Sequence, residues 1–446
     1  MKSLRCDLVN RYFIPLWAVL FTIFSAGMML ALPINRVPDE YAHLRQSYLI
    51  ADGQWYRAMK TRTVIIPQQM HFFEDSAIDA EGLKQAYDSV DFSNSPVEEP
   101  LATNTAVYPP VGYFPQACGI RLASVFTGNG VVIAYCGRIV NWLCTFLVLL
   151  WAMRKLPAYR KFLAFLTLLP MNLQEMISLS ADGMTTALVY ALTAFVLDGI
   201  HQRKRFEKKD YFALVLLSLG AVMWKVLYFP AVFLIILIPV ECFGSAKKKW
   251  TAVGIVLFSL TGLLLLWAGV CYFLLFQTAA GEAGREQSTL MAMEFLMGHR
   301  LEFIGVLYRT VSSGLKDCLC GIFGQNLSWF TIHPSPWLVY SSMALCGLIF
   351  LAEDSITLCL KTRFTFMAVS FLSILLLLLA LYLWWTPVNS SVIYGFQSRY
   401  LMPLLLMLLA AFKPRSTGVS RWMPVLFLGV FVVNCGFLLE IIRVTL

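Results

Sequence analysis

Two adjacent acids, Asp39 and Glu40, follow the first apolar run in Val37-Pro38-Asp39-Glu40-Tyr41-Ala42-His43. A carboxylate at a membrane boundary can take a proton from an acceptor hydroxyl, because partial desolvation raises its pKa towards a useful value. Asp39 and His43 are four residues apart, so on a helix they share a face. Acidic residues also favour helix starts, where they complement the dipole. Spacing leaves both readings open, and adjacency does not rank the two acids.

Other residues could serve the same chemistry. Tyr108-Pro109-Pro110-Val111-Gly112-Tyr113 holds two prolines between aromatics, a rigid bend leading into a short helix. Polar residues also stand in or beside apolar runs: Arg138 and Asn141, Asn172, Gln174 and Glu175, Asp182, Lys225, and Gln397 with Arg399 before Tyr400. Ionisable groups at membrane depth are costly and mark function by default, although some serve as structural pairs, for which Glu175 with Arg138 is one candidate. Lys225 and Arg399 fall at the same expected boundary as Asp39. Cations beside a carboxylate there suit a lipid-linked phosphate and an acceptor hydroxyl.

Composition sets the elements that must position these groups. The 446 residues are 59% hydrophobic and 14% charged, against about 25% charged in a soluble domain, so the chain reads as an integral membrane protein. The net charge of +9 suggests nucleic acid as a partner only until its placement is considered. Lys and Arg gather in short segments between apolar runs, the positive-inside pattern. The cysteines are scattered and form no CxxC pair with metal-site partners, and Cys318-Leu319-Cys320 is too closely spaced for a zinc knuckle. No cofactor is required by the sequence, and a divalent metal has no ligand cluster to support it. There is no P-loop, Gly-x-Ser-x-Gly or HExxH motif. The basic N-terminus resembles a signal peptide, but the apolar run from Tyr12 to Ile34 is long for one, and an uncleaved first span is the better reading.

With every basic cluster in the cytoplasm, the chain is expected to be an all-α bundle of about eleven spans, N-terminus inside and C-terminus outside. The spans are 12–34, 131–153, 162–178, 184–200, 211–224, 226–240, 251–276, 337–352, 364–385, 399–412 and 422–440. Within them, 162–200 turns at Ser180-Ala181-Asp182-Gly183 and 211–240 turns at Trp224-Lys225, both on the outer side. The whole of 1–446 forms one membrane domain with two long outer segments, 35–130 and 277–336. The first is rich in acids and prolines. The second holds an amphipathic stretch around Leu290–Gly314, expected to lie on the membrane surface.

The order of these motifs resembles the GT-C glycosyltransferases that use polyprenyl-phosphate sugars, such as protein mannosyltransferases and lipid A aminoarabinose transferases. The elements that match are Asp39-Glu40, Gly53-Gln54-Trp55 and Tyr108-Pro109-Pro110. The sequence is more closely similar to the bacterial family known as domain of unknown function 2142. That similarity lies in Pro38-Asp39-Glu40-x-x-His43, Tyr108-Pro109-Pro110, Gly137-Arg138-x-x-Asn141, Leu169-Pro170-Met171, Ser180-Ala181-Asp182-Gly183, Lys225-x-x-Tyr228 and Gln397-x-Arg399-Tyr400-x-x-Pro403. Gln54 departs from the acid common before Trp55, and Ser398 from the Gly common before Arg399. The resemblance implies an inverting sugar transfer on the outer face of the bacterial cytoplasmic membrane, from a polyprenyl-phosphate donor to a glycan or lipid acceptor. Asp39 is then the general base, with Glu40 its helper or alternate. Arg399 and Lys225 are implied to hold the donor phosphate, with His43, Tyr108, Pro110, Arg138, Asn141, Asp182, Gln397 and Tyr400 around the substrate. A lipid-linked oligosaccharide flippase is the main rival, but it calls for polar groups along a path through the bilayer, and here they gather near one face. A non-catalytic assembly protein is the third reading.

Overall fold

A computed structural model describes residues 2–75, 78–101, 103–271, 283–387, 389–413 and 422–445. The end of the expected 251–276 span, the start of the 277–336 segment and most of the basic cluster at 413–421 lie outside the described residues. The chain is predominantly helical. Among the described residues, six helices are long and apolar enough to cross a membrane: Tyr12–Ala31, Gly130–Lys155, Asp182–Gln202, Ala246–Cys271, Leu360–Trp384 and Met423–Thr445.

Two further expected spans, 211–224 and 337–352, are the single short helices Lys208–Met223 and Pro336–Ala352, and the other three are broken or tightened, for reasons visible in the sequence. Pro170 divides 162–178 into helices Arg160–Thr167 and Pro170–Met176, since proline has no N–H to continue a helical ladder. Helix Lys208–Met223 stops before Lys225, which is extended, and the chain resumes as the 3₁₀ helix Val226–Leu237 around Pro230. Pro403 likewise lies in a 3₁₀ turn, Ser398–Leu404, that leads into helix Leu405–Phe412. Short and irregular segments like these are stable at membrane depth only when protein covers their backbone. The cover here is helix Asp182–Gln202, whose apolar window is 89% buried. It packs against Gly130–Lys155, Lys208–Met223, Val226–Leu237 and Ser398–Leu404. A helix apolar on all sides belongs at such a centre.

The two ends of this bundle differ. At the end where helix Gly130–Lys155 finishes, Lys155 pairs with Asp198 and Asp210, and Lys161 with Asp354. There Arg363 also donates to the carbonyls of Ala411 and Lys413. The other end carries residues 35–130, which fold as a compact cap with a core of its own that includes Ile34, Leu44, Met70, Phe73 and Ile120. Besides helices Glu40–Ala51, Trp55–Thr61, Ala80–Ser89 and Phe114–Ser124, this cap contains strands β1 (Thr63–Pro67) and β2 (Pro96–Pro100), paired antiparallel from Thr63↔Pro100 to Pro67↔Pro96. The wholly helical expectation is corrected at this point. Gln54 explains its own departure from an acid: its amide donates to the Ile65 carbonyl and accepts from the Ile65 N–H, a double bond to β1 that a carboxylate cannot make.

The second long segment forms two helices instead of one continuous surface helix. Ala283–Gly298 and Arg300–Ile322 meet at His299, whose backbone is non-helical. Leu301, Ile304, Tyr308, Val311, Leu315 and Leu319 make an exposed apolar stripe along the second of these, while Phe303 and Val306 pack on Leu378 and Tyr382. Close backbone approach fixes the cap and the central helix to their neighbours. A Cβ on Gly119 would lie 2.3 Å from the Cys136 carbonyl oxygen, and one on Gly183 would lie 2.6 Å from Met176 Cα. Gly183→Ala is therefore expected to lower stability by about 1–3 kcal/mol, read as a fall in the unfolding midpoint of detergent-solubilised protein. Gly254→Ala, which meets no atom within 4 Å, should leave that midpoint in place.

Candidate active site

The site begins with a buried turn. After the first span the chain runs through Pro33-Ile34-Asn35-Arg36-Val37-Pro38, and Asn35 and Asp39 both take left-handed backbone at φ 66°. Asn and Asp tolerate that region better than other side chains. Glu40 locks the turn. Its Oε1 accepts from Arg138 Nε at 2.7 Å and the Leu179 N–H at 3.0 Å. Its Oε2 accepts from Arg138 Nη2 at 2.5 Å and the Asn35 N–H at 2.8 Å. Arg138 also donates to the carbonyls of Leu32 and Pro33. Both side chains are fully enclosed. Arg138 thus pairs with Glu40, and not with Glu175, the candidate partner.

Asp39 goes the other way. It occupies the N-cap position of helix Glu40–Ala51, yet its side chain makes no capping bond. Its Oδ2 instead accepts from Arg399 Nη2 at 2.5 Å, and 42% of the side chain is exposed while Arg399 is almost fully covered. Arg399 also donates to the Pro38 carbonyl and stands 3.9 Å from Asp182. Asp182 meets Lys225 Nζ at 2.5 Å. Tyr400 backs both cations: its ring lies 4.6 Å from Lys225 Nζ and 5.1 Å from the Arg399 guanidinium carbon, a cation–π arrangement. Asp39, Arg399, Asp182, Lys225 and Tyr400 therefore form one continuous cluster at the capped end of the bundle.

These residues come from distant parts of the chain. The family described as predicted membrane protein (DUF2142) matches residues 21–408. The chain belongs to it. Every member of the cluster falls inside the DUF2142 match. No curated protein and no solved structure matches the chain.

The remaining expected residues divide into two groups. Tyr108 sits by the Lys225 turn, where burial raises its phenol pKa and Lys225 opposes that shift. Pro110 opens the 3₁₀ turn Pro110–Tyr113, which lies beside Trp224: a Cβ on Gly112 would meet Trp224 Cα at an ordinary contact distance of 3.5 Å. Tyr113 bonds His43 Nδ1 at 2.8 Å. Burial pushes the His43 pKa down to about 4, with Asp182 and Asp39 opposing, so the imidazole is neutral near pH 7. Gln397 occupies the N-cap position of the 3₁₀ turn that carries Arg399, without a capping bond from its side chain. Ser398 fits because Gly321 has no Cβ, and one there would lie 2.1 Å from the Ser398 hydroxyl.

The second group is buried away from the cluster. Arg138 is committed to Glu40, and Asn141 donates to the carbonyls of Ser178 and Ser180. One turn apart on helix Gly130–Lys155, these two hold the Asp39 turn and the Asp182 turn in place. Sequence reasoning missed Ser328 and Trp329, which tie the second long segment to the Asp39 turn. Ser328 donates to the Arg36 carbonyl and Trp329 to the Asn35 carbonyl, each at 2.7 Å. Nothing in the apolar pattern or the charges marks such a contact, because the partner atoms are backbone. Among the described residues, no group of three or more His, Cys, Asp or Glu gathers to hold a metal.

Two outcomes follow. Glu40→Gln or Arg138→Met should each cost about 3–5 kcal/mol, as for any buried pair broken on one side, seen as loss of folded protein on size-exclusion chromatography. His43 binds its proton more weakly folded than unfolded, from an ordinary value of 6.5 to about 4. Stability should therefore decline as pH falls from about 6.5 to about 4, and His43→Gln should flatten that part of a midpoint-versus-pH curve.

Proposed function

We propose that this DUF2142 protein is an inverting GT-C-type glycosyltransferase that moves a sugar from a polyprenyl phosphate to a cell-envelope glycan or lipid on the outer face of the cytoplasmic membrane. One observation carries the reading: of two adjacent acids, Glu40 is saturated by four donors, whereas Asp39 leaves its capping role and faces solvent beside Arg399. A general base needs an accessible lone pair, and Asp39 has one. Its left-handed backbone fits a functional position, where such strain collects.

The cations divide the work. Lys225 and Asp182 form a near-neutral base plate, with Tyr400 behind them. Arg399 is the movable partner, since one of its bonds goes to a half-exposed carboxylate. A donor phosphate competes with Asp39 for the Arg399 guanidinium, whose planar fork suits phosphate oxygens. Once Arg399 turns to the phosphate, the Asp39 carboxylate loses that partner and its oxygen is open to the acceptor hydroxyl. Asp39 then takes the proton of the acceptor hydroxyl as that oxygen attacks the anomeric carbon. The C–O bond to phosphate breaks on the opposite face, and the phosphate leaves with the bonding electrons, stabilised by Arg399 and Lys225.

The purified protein, given radiolabelled undecaprenyl-phosphate sugars and a membrane extract as acceptor, should transfer label. Asp39→Asn should reduce the rate by at least about 100-fold, the lower end of what a general base contributes, while folded protein is retained on size-exclusion chromatography. Full activity in Asp39→Asn would remove the base assignment.

A further inference from the structure

Behind Arg399 lies a small cavity that the phosphate chemistry does not use. It has room for about 20 Å³, with Glu175, Gln174, Ser328, Phe330, Gln397 and Arg399 among its walls, which is the space of a single water or hydroxyl. Glu175 is 2% exposed and Arg399 5%. Both nevertheless present a buried polar atom without a hydrogen bond, Glu175 Oε2 and Arg399 Nε. The rest of Glu175 is fixed: Gln174 Nε2 donates to its Oε1 at 3.3 Å, and Gln174 Oε1 accepts from the Ser328 N–H at 2.6 Å.

The two open atoms define the occupant. Arg399 Nε, 3.9 Å from Asp182 Oδ2, and Glu175 Oε2 belong to residues that wall one water-sized space; a donor and an acceptor there match a group that both accepts and donates, and a hydroxyl does this with one oxygen. A phosphate is too large for this space. A cation is repelled by Arg399, and an apolar group would leave both atoms unsatisfied at a cost. Phe330 adds a second feature of the site. It lines the same cavity, its ring is half exposed, and it holds left-handed backbone at φ 59°, with Ser328 at φ 58°. For a bulky side chain that conformation is a true outlier. The Leu327–Ile332 bridge and the Ser328 and Trp329 bonds to the Asp39 turn maintain it. An aromatic face beside a hydroxyl-sized polar hole is how a ring bearing hydroxyls is gripped.

We infer that Glu175, Arg399 and Phe330 form a sugar subsite, in which one hydroxyl of the transferred sugar sits between Glu175 Oε2 and Arg399 Nε while its ring lies on Phe330. This rests on the transferase reading and supplies what that reading lacks, the part that recognises the sugar. Glu175 is here a specificity residue with no role in proton transfer to the acceptor.

The test is binding, without turnover. Affinities of the protein in nanodiscs are measured for bare undecaprenyl phosphate and for undecaprenyl phosphate carrying glucose, galactose, mannose or N-acetylglucosamine. At least one glycosylated lipid should bind about ten-fold more tightly than the bare lipid, in line with a hydrogen bond to a charged group. Glu175→Gln and Phe330→Ala should each remove that excess and leave bare-lipid affinity within two-fold. The subsite is overturned if no sugar gives an excess, if the excess survives both variants, or if bare-lipid affinity falls equally. Loss of the excess in both variants, together with no transfer of label, would uphold the subsite and remove the transferase.

Discussion

The buried pair of Glu40 and Arg138 is the constraint from which the rest of the site follows. A charge placed where no water reaches must be fully bonded or the fold loses several kcal/mol. Here the bonding reaches the Asn35 and Leu179 amides and the Leu32 and Pro33 carbonyls. One ion pair thereby joins the end of the first span, the start of the cap, helix Gly130–Lys155 and the turn before Asp182. With Glu40 fixed inward, its neighbour Asp39 has to emerge on the other side of the turn, where Arg399 meets it. The half-exposed acid is thus positioned by the saturated one.

The same economy governs the irregular segments. Lys225, Arg399 and Asp182 all stand where helices break or begin: Lys225 precedes the 3₁₀ segment around Pro230, Arg399 lies at the start of the one around Pro403, and Asp182 opens a helix after the turn at 178–181. A continuous helix would carry these side chains past one another at different depths. Broken helices around the buried Asp182–Gln202 helix bring them to one level, and the cap and the Ser328–Phe330 turn close over them.

How far this was legible in the sequence depends on the kind of contact. Charge and apolar pattern were enough to identify a membrane bundle and to gather Asp39, Lys225, Arg399, Asp182 and Tyr400 at one boundary, since ionisable groups beside apolar runs stand out. The same signal could not separate Asp39 from Glu40, or assign Arg138 to Glu40 in place of Glu175, because it carries no direction for a side chain. The β1–β2 pair was hidden in a proline-rich stretch. Ser328, Trp329 and Phe330 were hidden because their role depends on backbone atoms and on left-handed turns, which neither periodicity nor charge reveals. Three of the expected spans, 162–178, 226–240 and 399–412, resolve as broken or 3₁₀ segments around Pro170, Pro230 and Pro403, because hydropathy measures apolar length and is blind to a proline's effect on the ladder.

The central claim is that Arg399 leaves Asp39 for a lipid phosphate. Its most direct test is an electron cryo-microscopy structure of the protein in nanodiscs with undecaprenyl phosphate. Phosphate density between Arg399 and Lys225, with the Asp39 carboxylate released from Arg399 and open to solvent, is the expected result. Phosphate bound elsewhere, with the Asp39–Arg399 pair intact, would contradict it.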